Sequence, residues 1–354
     1  MTDTIQRDAM DVCDRMGEAL HGLSGSTILA AGGGGFIGSF VLDVIAYSND
    51  HILEQPATVI CVDNYKTGSA DRIAHLRASD NFTFRQHDIT EPLELDHDVD
   101  YIIHMASIAS PPRYRENRLP TVDVNVLGTR NLLELARQNP VKGFLYLSSS
   151  EVYGDPPASA LPTPESYTGN VSFTGPRACY DESKRLAECL CSIYYEQYDV
   201  PIKVIRPFNV YGPRLNLDDG RVMPDFIRNG LDGNPIEVYS DGKATRSFCY
   251  ISDAIAASLL LMLSNHNGEP FNVGNDEEIT IEGLAQEVNL AFDDQLSVRF
   301  ASSDDPDYLV DNPQRRCPDL TKVKQAIPWE PTITLREGIR RTIQWYRDQP
   351  GDAP

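Results

Sequence analysis

The chain has 354 residues, enough to bury a sizeable core in one large domain or two intimately joined ones. Lys and Arg number 31 against 52 Asp and Glu, a formal net charge of −21, and such a surface repels DNA and RNA. Hydrophobic residues make up 41%, ordinary for an α/β protein, and no apolar run reaches membrane-spanning length.

Residues 1–25 form an N-terminal extension. Val12, Met16 and Leu20 recur at helical spacing, which predicts a short amphipathic helix packed on the main domain; a tail or a dimer contact fits the same pattern. Asp3, Asp8, Asp11 and Asp14 stand where a signal peptide would place basic residues. Seven cysteines without such a signal predict reduced thiols and a cytoplasmic protein. Cys189 and Cys191 lack suitably spaced Cys or His partners, so no metal site is expected.

Residues 26–210 read as strands alternating with helices. Thr27 to Ala31 is a buried strand, followed by glycines and a helix from Phe36 to Ala46. Strands follow at Thr58 to Asp63, Phe82 to His87 and Tyr101 to Met105. A helix is expected from Thr121 to Arg137, then a strand at Phe144 to Ser148, a helix at Tyr180 to Tyr198 and a strand at Ile202 to Pro207. This alternation predicts a Rossmann-type doubly wound parallel sheet. Residues 211–354, richer in Pro, Gly and Asp, are expected to build mainly a smaller C-terminal substrate-binding lobe, interleaved with the first domain.

Gly32, Gly35 and Gly38 form G-x-x-G-x-x-G between a strand and a helix. Glycines let the backbone approach a pyrophosphate, and the helix N-terminus presents free N–H groups to it. Asp63 ends the second strand, where a carboxylate holds the ribose hydroxyls and repels a 2′-phosphate, favouring NAD over NADP. Asp88 and Ile89 follow the third strand, where residues of this kind on their own read as a solvated strand end.

Further on, Tyr180 and Lys184 stand four residues apart, on one helix face. A tyrosine with a free pKa near ~10 is a poor base, and a neighbouring ammonium lowers that value. Ser149 precedes them as a hydroxyl able to share a hydrogen bond with the reacting oxygen.

Strand, glycine turn, acid, Ser149 and Tyr180-x-x-x-Lys184 in this order resemble the extended short-chain dehydrogenase/reductases, which modify nucleotide sugars with bound NAD. The resemblance implies cofactor contacts from Gly32, Gly35, Phe36, Ile37, Gly38, Asp63, Asn64, Asp88, Ile89, Ala106, Ser148, Tyr180 and Lys184, with Asn125 steadying the active-site helix. Ala31 replaces the family's usual Thr.

Ser149-Ser150-Glu151 lacks the acid that 4,6-dehydratases carry in the middle, and is similar to the Thr-Ser-Glu of UDP-glucuronate decarboxylases. The likeness extends through the Ala106 to Pro112 loop, Gly154-Asp155-Pro156, Gly175 to Glu182, Asp219 to Val222 and Arg315 to Asp319, about Thr27 to Tyr346 in all. Ser183 replaces a usual Gly, and Asp307-Tyr308-Leu309-Val310-Asp311 is unfamiliar. The loops around Asp155 to Thr174 and Asp304 to Asn312 are expected to set the sugar accepted.

The resemblance implies decarboxylation of UDP-glucuronate to UDP-xylose through a 4-keto intermediate. Tyr180 is the base, Lys184 and Ser149 assist it, Ser150 and Glu151 flank the reacting sugar, and Arg246 meets the substrate's charges. Glu151 either disfavours the substrate carboxylate or is a structural acid paired to an arginine. Asn209, Arg214, Arg221, Arg246 and Arg315 are candidate nucleotide-sugar contacts, although any one arginine is by default a surface ion-pair residue. Arg177 is expected to order the active-site loop. A nucleotide-sugar 4-epimerase uses the same Tyr, Lys and Ser; a 4,6-dehydratase and a non-catalytic NAD-binding protein rank below it. Relatives dimerise through two helices per subunit, here Thr121 to Arg137 and Tyr180 to Tyr198.

Overall fold

The computed structural model describes residues 2–302, 310 and 312–349. A helix α1 (Asp3–Met16) leads into β1 (Thr27–Ala31), α2 (Phe36–His51), β2 (Thr58–Asp63), β3 (Phe82–Gln86) and β4 (Tyr101–His104). Two short helices, α3 (Pro111–Glu116) and α4 (Arg118–Asp123), precede α5 (Thr129–Gln138), β5 (Gly143–Leu147), α6 (Ala178–Tyr198), β6 (Ile202–Pro207) and β7 (Val210–Tyr211). The remainder alternates: α7 (Val222–Leu231), β8 (Ile236–Val238), β9 (Thr245–Ser247), β10 (Cys249–Tyr250), α8 (Ile251–Leu263), β11 (Glu269–Val273), β12 (Glu278–Thr280), α9 (Ile281–Ala291) and β13 (Val298–Phe300). It ends with β14 (Arg315–Arg316), α10 (Thr321–Ala326) and α11 (Leu335–Arg347).

Seven strands form one parallel sheet in the order β11-β6-β5-β4-β1-β2-β3. The strands are apolar on both faces, as a sheet covered on two sides requires. Alternation sends Ile28 and Ala30 of β1 into the core under α2 and α8, while Leu29 and Ala31 face the core under α5 and α6. The order of strands reverses between β1 and β4, so their C-terminal ends open a crevice there. β11 and α8 lie beyond residue 210 yet belong to the sheet layer, whereas α7, α9 and the short strands β8, β9 and β12 to β14 stand outside it.

α1 packs against α2 and α8 through Ile5, Ala9, Val12 and Met16. Its buried Asp8 accepts from the Tyr250 hydroxyl at 2.6 Å and from Arg341 at 2.7 Å, and Arg15 meets the buried Asp253 at 2.6 Å. No helix among the described residues is long and apolar enough to cross a membrane.

The helix expected from Thr121 to Arg137 is broken by a wider turn at Val124–Gly128. Gly128 sits where a Cβ would come within 2.7 Å of Ile89. Such wide turns re-aim side chains, and this one carries Asn125 toward α6.

Candidate active site

A cavity of about 800 Å³ opens at the C-terminal ends of the sheet, between the sheet and the short strands of the C-terminal lobe. One wall is the turn after β1. Gly32 has φ +86°, and a Cβ on Gly38 would stand 2.1 Å from the Gly32 carbonyl oxygen, so both positions require glycine. The N-terminus of α2 follows directly at Phe36 and faces the cavity with Gly35, Ile37 and Gly38. An adjoining recess is lined by Asp63, Asn64, Asp88, Ile89 and Ala106. Asp63 accepts from the backbone N–H of Gly34 at 2.8 Å and of Tyr65 at 2.7 Å, and Asn64 donates to Asp88 at 2.9 Å. A backbone cradle, a helix N-terminus and a carboxylate at the end of β2 fit a dinucleotide: the cradle suits the pyrophosphate, Asp63 the adenosine ribose.

β5 and α6 bring Ser149, Tyr180 and Lys184 together at the inner end. The Tyr180 hydroxyl hydrogen-bonds Ser149, and Lys184 Nζ donates to the Leu147 carbonyl at 2.7 Å. Tyr114 stacks on Tyr180 with ring centroids 5.2 Å apart. Burial pushes the Tyr180 phenol up to about 12; Ser149 pulls it down, and Glu151 and Asp181 push it further up. Burial also brings Lys184 down to about 7 against the opposing pull of Glu188 and Cys191. Within the chain's own field, therefore, burial dominates and holds the Tyr180 phenol above its ordinary value, so the phenolate that a base requires needs a further positive charge beside it.

Asn125 is buried behind this site and does not line the cavity. It donates to Ser183 at 2.9 Å and accepts from Ser107 at 2.8 Å. Ser183, in turn, donates to the Tyr180 carbonyl at 3.0 Å, so the serine that departs from the family's glycine is tied into α6. Ser148 lines the cavity but gives its hydroxyl proton to Glu188 at 2.5 Å.

Beyond Ser149, Glu151 is held between two arginines. Arg177 pairs with one carboxylate oxygen and Arg316 reaches the other at 3.1 Å. Arg316 also donates to the Ser150 hydroxyl at 3.1 Å. Burial raises the Glu151 carboxyl, but Arg177, Arg316 and Arg246 together outweigh it and hold the group at about 2. The ion-paired reading of Glu151 thus fits the geometry, and its negative charge is more than compensated. Arg246 lines the same end and donates to Asn312 at 2.8 Å. Asn209 and Arg221 line the cavity; Asn209 donates to the Ser247 carbonyl at 2.8 Å, and Arg221 pairs with Asp219.

Two candidates fall elsewhere. Arg214 does not line the cavity, because its guanidinium is taken by the buried Asp43 of α2. Arg315 projects to the surface and pairs with Glu278 at 2.5 Å, while its neighbour Arg316 points inward. Successive residues of a strand face opposite sides, so the Arg pair offers only one member to the cavity. Arg72, which lines the cavity and donates to the Gly34 and Arg214 carbonyls, carried no sequence signal. Val310 of the unfamiliar segment lines the cavity, as does Asn312 just after it; Asp307, Tyr308, Leu309 and Asp311 lie outside the described residues.

Sheet order, glycine cradle and terminal acid define a dinucleotide-binding α/β enzyme fold of the extended type. The chain belongs to the NAD dependent epimerase/dehydratase family, which residues 28–274 match. It is 41% identical over 322 residues to UDP-glucuronic acid decarboxylase 1 of Arabidopsis thaliana, covering 91% of this chain and 70% of that one. It is 42% identical over 316 residues to UDP-glucuronic acid decarboxylase 5 of the same plant, covering 89% and 88%. The crystal structure of UDP-glucuronic acid 4-epimerase from Bacillus cereus with UDP-glucuronic acid and NAD superposes with a TM-score of 0.75 at 25% identity, covering 91% of this chain and 99% of that one.

Proposed function

We propose that the protein decarboxylates UDP-glucuronate to UDP-xylose with bound NAD. The observation that carries this reading is the cationic end of the cavity: Arg177, Arg246 and Arg316 gather around two carboxylates, Glu151 and the buried Asp181 that stands 3.8 Å from Arg177, beside the Ser149–Tyr180 pair. That excess positive charge suits a sugar whose C6 is a carboxylate. Ser150, tied to Arg316, supplies no acid for a 4,6-dehydration. The likeness to two plant decarboxylases at 41% and 42% identity supports the same reading.

NAD, when bound, would supply a reversible hydride acceptor for C4. Tyr180 takes the C4 hydroxyl proton, with Ser149 sharing the hydrogen bond. With C4 at the ketone level, the carboxylate lies β to a carbonyl. The C5–C6 bond breaks, its electron pair flows into the C4 oxygen, and CO₂ leaves. Tyr180, now protonated, and Ser149 stabilise that oxygen as negative charge develops on it. Arg246 and Arg316 orient the carboxylate before it leaves, and Glu151 orders their guanidinium groups. C5 then takes a proton, and Tyr180 gives its own back as C4 is reduced.

A UDP-glucuronate 4-epimerase is the second reading. It is favoured by the likeness to the Bacillus cereus enzyme and needs the same Tyr180, Ser149 and Lys184. Incubation with UDP-glucuronate and NAD separates the two: evolved CO₂ with UDP-xylose supports decarboxylation, and a C4-inverted product of unchanged mass supports epimerisation.

We further propose a homodimer. Leu119, Leu127, Leu186 and Ile193 are exposed on the outward faces of α4, the turn before α5, and α6, which supports pairing of these helices between two copies. Light scattering after size exclusion tests it. The seven cysteines are all free, which supports a cytoplasmic location.

A further inference from the structure

Three consecutive residues at the end of β5 are bonded to three residues spaced four apart on α6. Ser149 pairs with Tyr180, the Leu147 carbonyl accepts from Lys184 at 2.7 Å, and the Ser148 hydroxyl donates to Glu188 at 2.5 Å. Four-residue spacing puts Tyr180, Lys184 and Glu188 in one row on the helix face that meets the sheet. The first two rungs belong to the chemistry described above. The third, Glu188, touches neither the reacting atoms nor any role assigned so far.

Glu188 is itself fixed from behind. Arg206 at the end of β6 holds it with two nitrogens, Nε at 2.9 Å and Nη2 at 2.5 Å. Arg206 Nη1 donates to the Tyr153 hydroxyl at 2.7 Å, and that hydroxyl donates to Asn272 of β11 at 2.7 Å. The carboxylate is thus locked in place one helical turn past Lys184. Around the Lys184 ammonium stand Glu188, Cys191 and Tyr180 from α6, Tyr146 from β5 with its ring centroid 4.9 Å away, and His104 from β4. Among these, Glu188 is the carboxylate, and burial raises the Cys191 thiol well above its ordinary value.

We propose that Glu188 is a positioning residue: held by Ser148 and Arg206, it fixes the reactive face of α6 to the end of β5 and keeps Lys184 in its cationic form. The proposal rests on the function assigned above only in taking Tyr180 and Lys184 as the working pair. The charges give it a sign. Removing the Glu188 charge takes away a negative group that favours the Lys184 ammonium, so the ammonium loses its proton at lower pH. Removing the Arg206 charge leaves Glu188 uncompensated, so the ammonium persists to higher pH.

The experiment compares Glu188→Gln and Arg206→Gln with the unaltered protein. Lysines labelled with carbon-13 at Cε are titrated by NMR without substrate, the Lys184 signal being assigned by its loss in Lys184→Met. The pH profile of turnover with UDP-glucuronate and NAD is measured alongside. The expected result is a Lys184 titration and an alkaline limb displaced by about one pH unit downward in Glu188→Gln and upward in Arg206→Gln. Displacement in the same direction in both variants, or none, overturns the proposal, because loosened packing has no reason to reverse sign. If one variant fails to fold, the sign in the other decides; if neither folds, the pair is a structural staple and the proposal falls. Lack of turnover in the unaltered protein counts against the decarboxylase reading alone, since the NMR titration needs no substrate.

Discussion

Arg316 Nη1 stands 3.1 Å from the Ser150 hydroxyl and 3.1 Å from a Glu151 carboxylate oxygen. One guanidinium from β14 therefore ties the C-terminal lobe to the turn that carries Ser149. Arg316 is buried, and its neighbour Arg315 is half-exposed on a surface carboxylate.

Replacing Arg316 by Ala is expected to abolish turnover and to destabilise the fold by about 3–5 kcal/mol, the usual effect of stripping one partner from a buried ion pair. Arg315→Ala should leave both near the unaltered values. Urea denaturation and turnover on the same two variants check the contrast; equal effects would refute the inward assignment of Arg316.

The glycine cradle makes a second prediction. A methyl group on Gly38 would overlap the Gly32 carbonyl at 2.1 Å, so Gly38→Ala must shift the turn or the helix behind it. Overpacking costs about 1–3 kcal/mol, which weakens NAD binding by about 10- to 100-fold if it falls on the cradle. Calorimetric titration with NAD reads this directly, and undiminished affinity would mean that the pyrophosphate lies elsewhere.

Tyr180→Phe removes the proton-transfer group and leaves its packing on Tyr114. Turnover should fall by about 10²- to 10⁴-fold with NAD still bound. Turnover that survives would reject Tyr180 as the base.

Acid stability should depend on His104. The ring is buried, bonded through Nε2 to Thr129 at 2.9 Å, and its Nδ1 has no hydrogen-bond partner among the described residues. Burial, with Lys184 adding to it, lowers its pKa from 6.5 to about 3. The unfolded chain takes up a proton that the folded chain refuses. The resulting stability is complete above about pH 6.5 and is lost as pH falls toward 3. Glu151, held at about 2 instead of 4.5, adds a further loss between those two values. Thermal melts between pH 7 and 4 should fall less steeply for His104→Gln than for the unaltered protein. An identical slope would show that the imidazole is protonated without unfolding.

The strand bounds Thr27–Ala31, Thr58–Asp63 and Ile202–Pro207 were legible because each is a short apolar run stopped by Gly, Asp or Pro chemistry. The helix around Asn125 was not, since apolar periodicity does not reveal a wide turn that adds one residue in the middle. The glycine turn and the Tyr180–Lys184 pair were legible because spacing encodes their geometry. The arginines were harder. Sequence offers no way to see that Asp43, distant along the chain, claims Arg214, or that β14 turns Arg316 inward and Arg315 outward. Glu188 and Arg206 looked like ordinary residues of a helix and a strand until the fold bonded Glu188 to Ser148 and Arg206 to Glu188.

Oxidation at C4 leads to loss of C6. UDP-glucuronate carrying carbon-13 at C6 and deuterium at C4 tests it in one reaction, followed by mass spectrometry. The carbon-13 is expected to leave as CO₂ and the deuterium to return to C4 of UDP-xylose. A product that keeps the carbon-13 with C4 inverted would contradict it and make the protein a 4-epimerase.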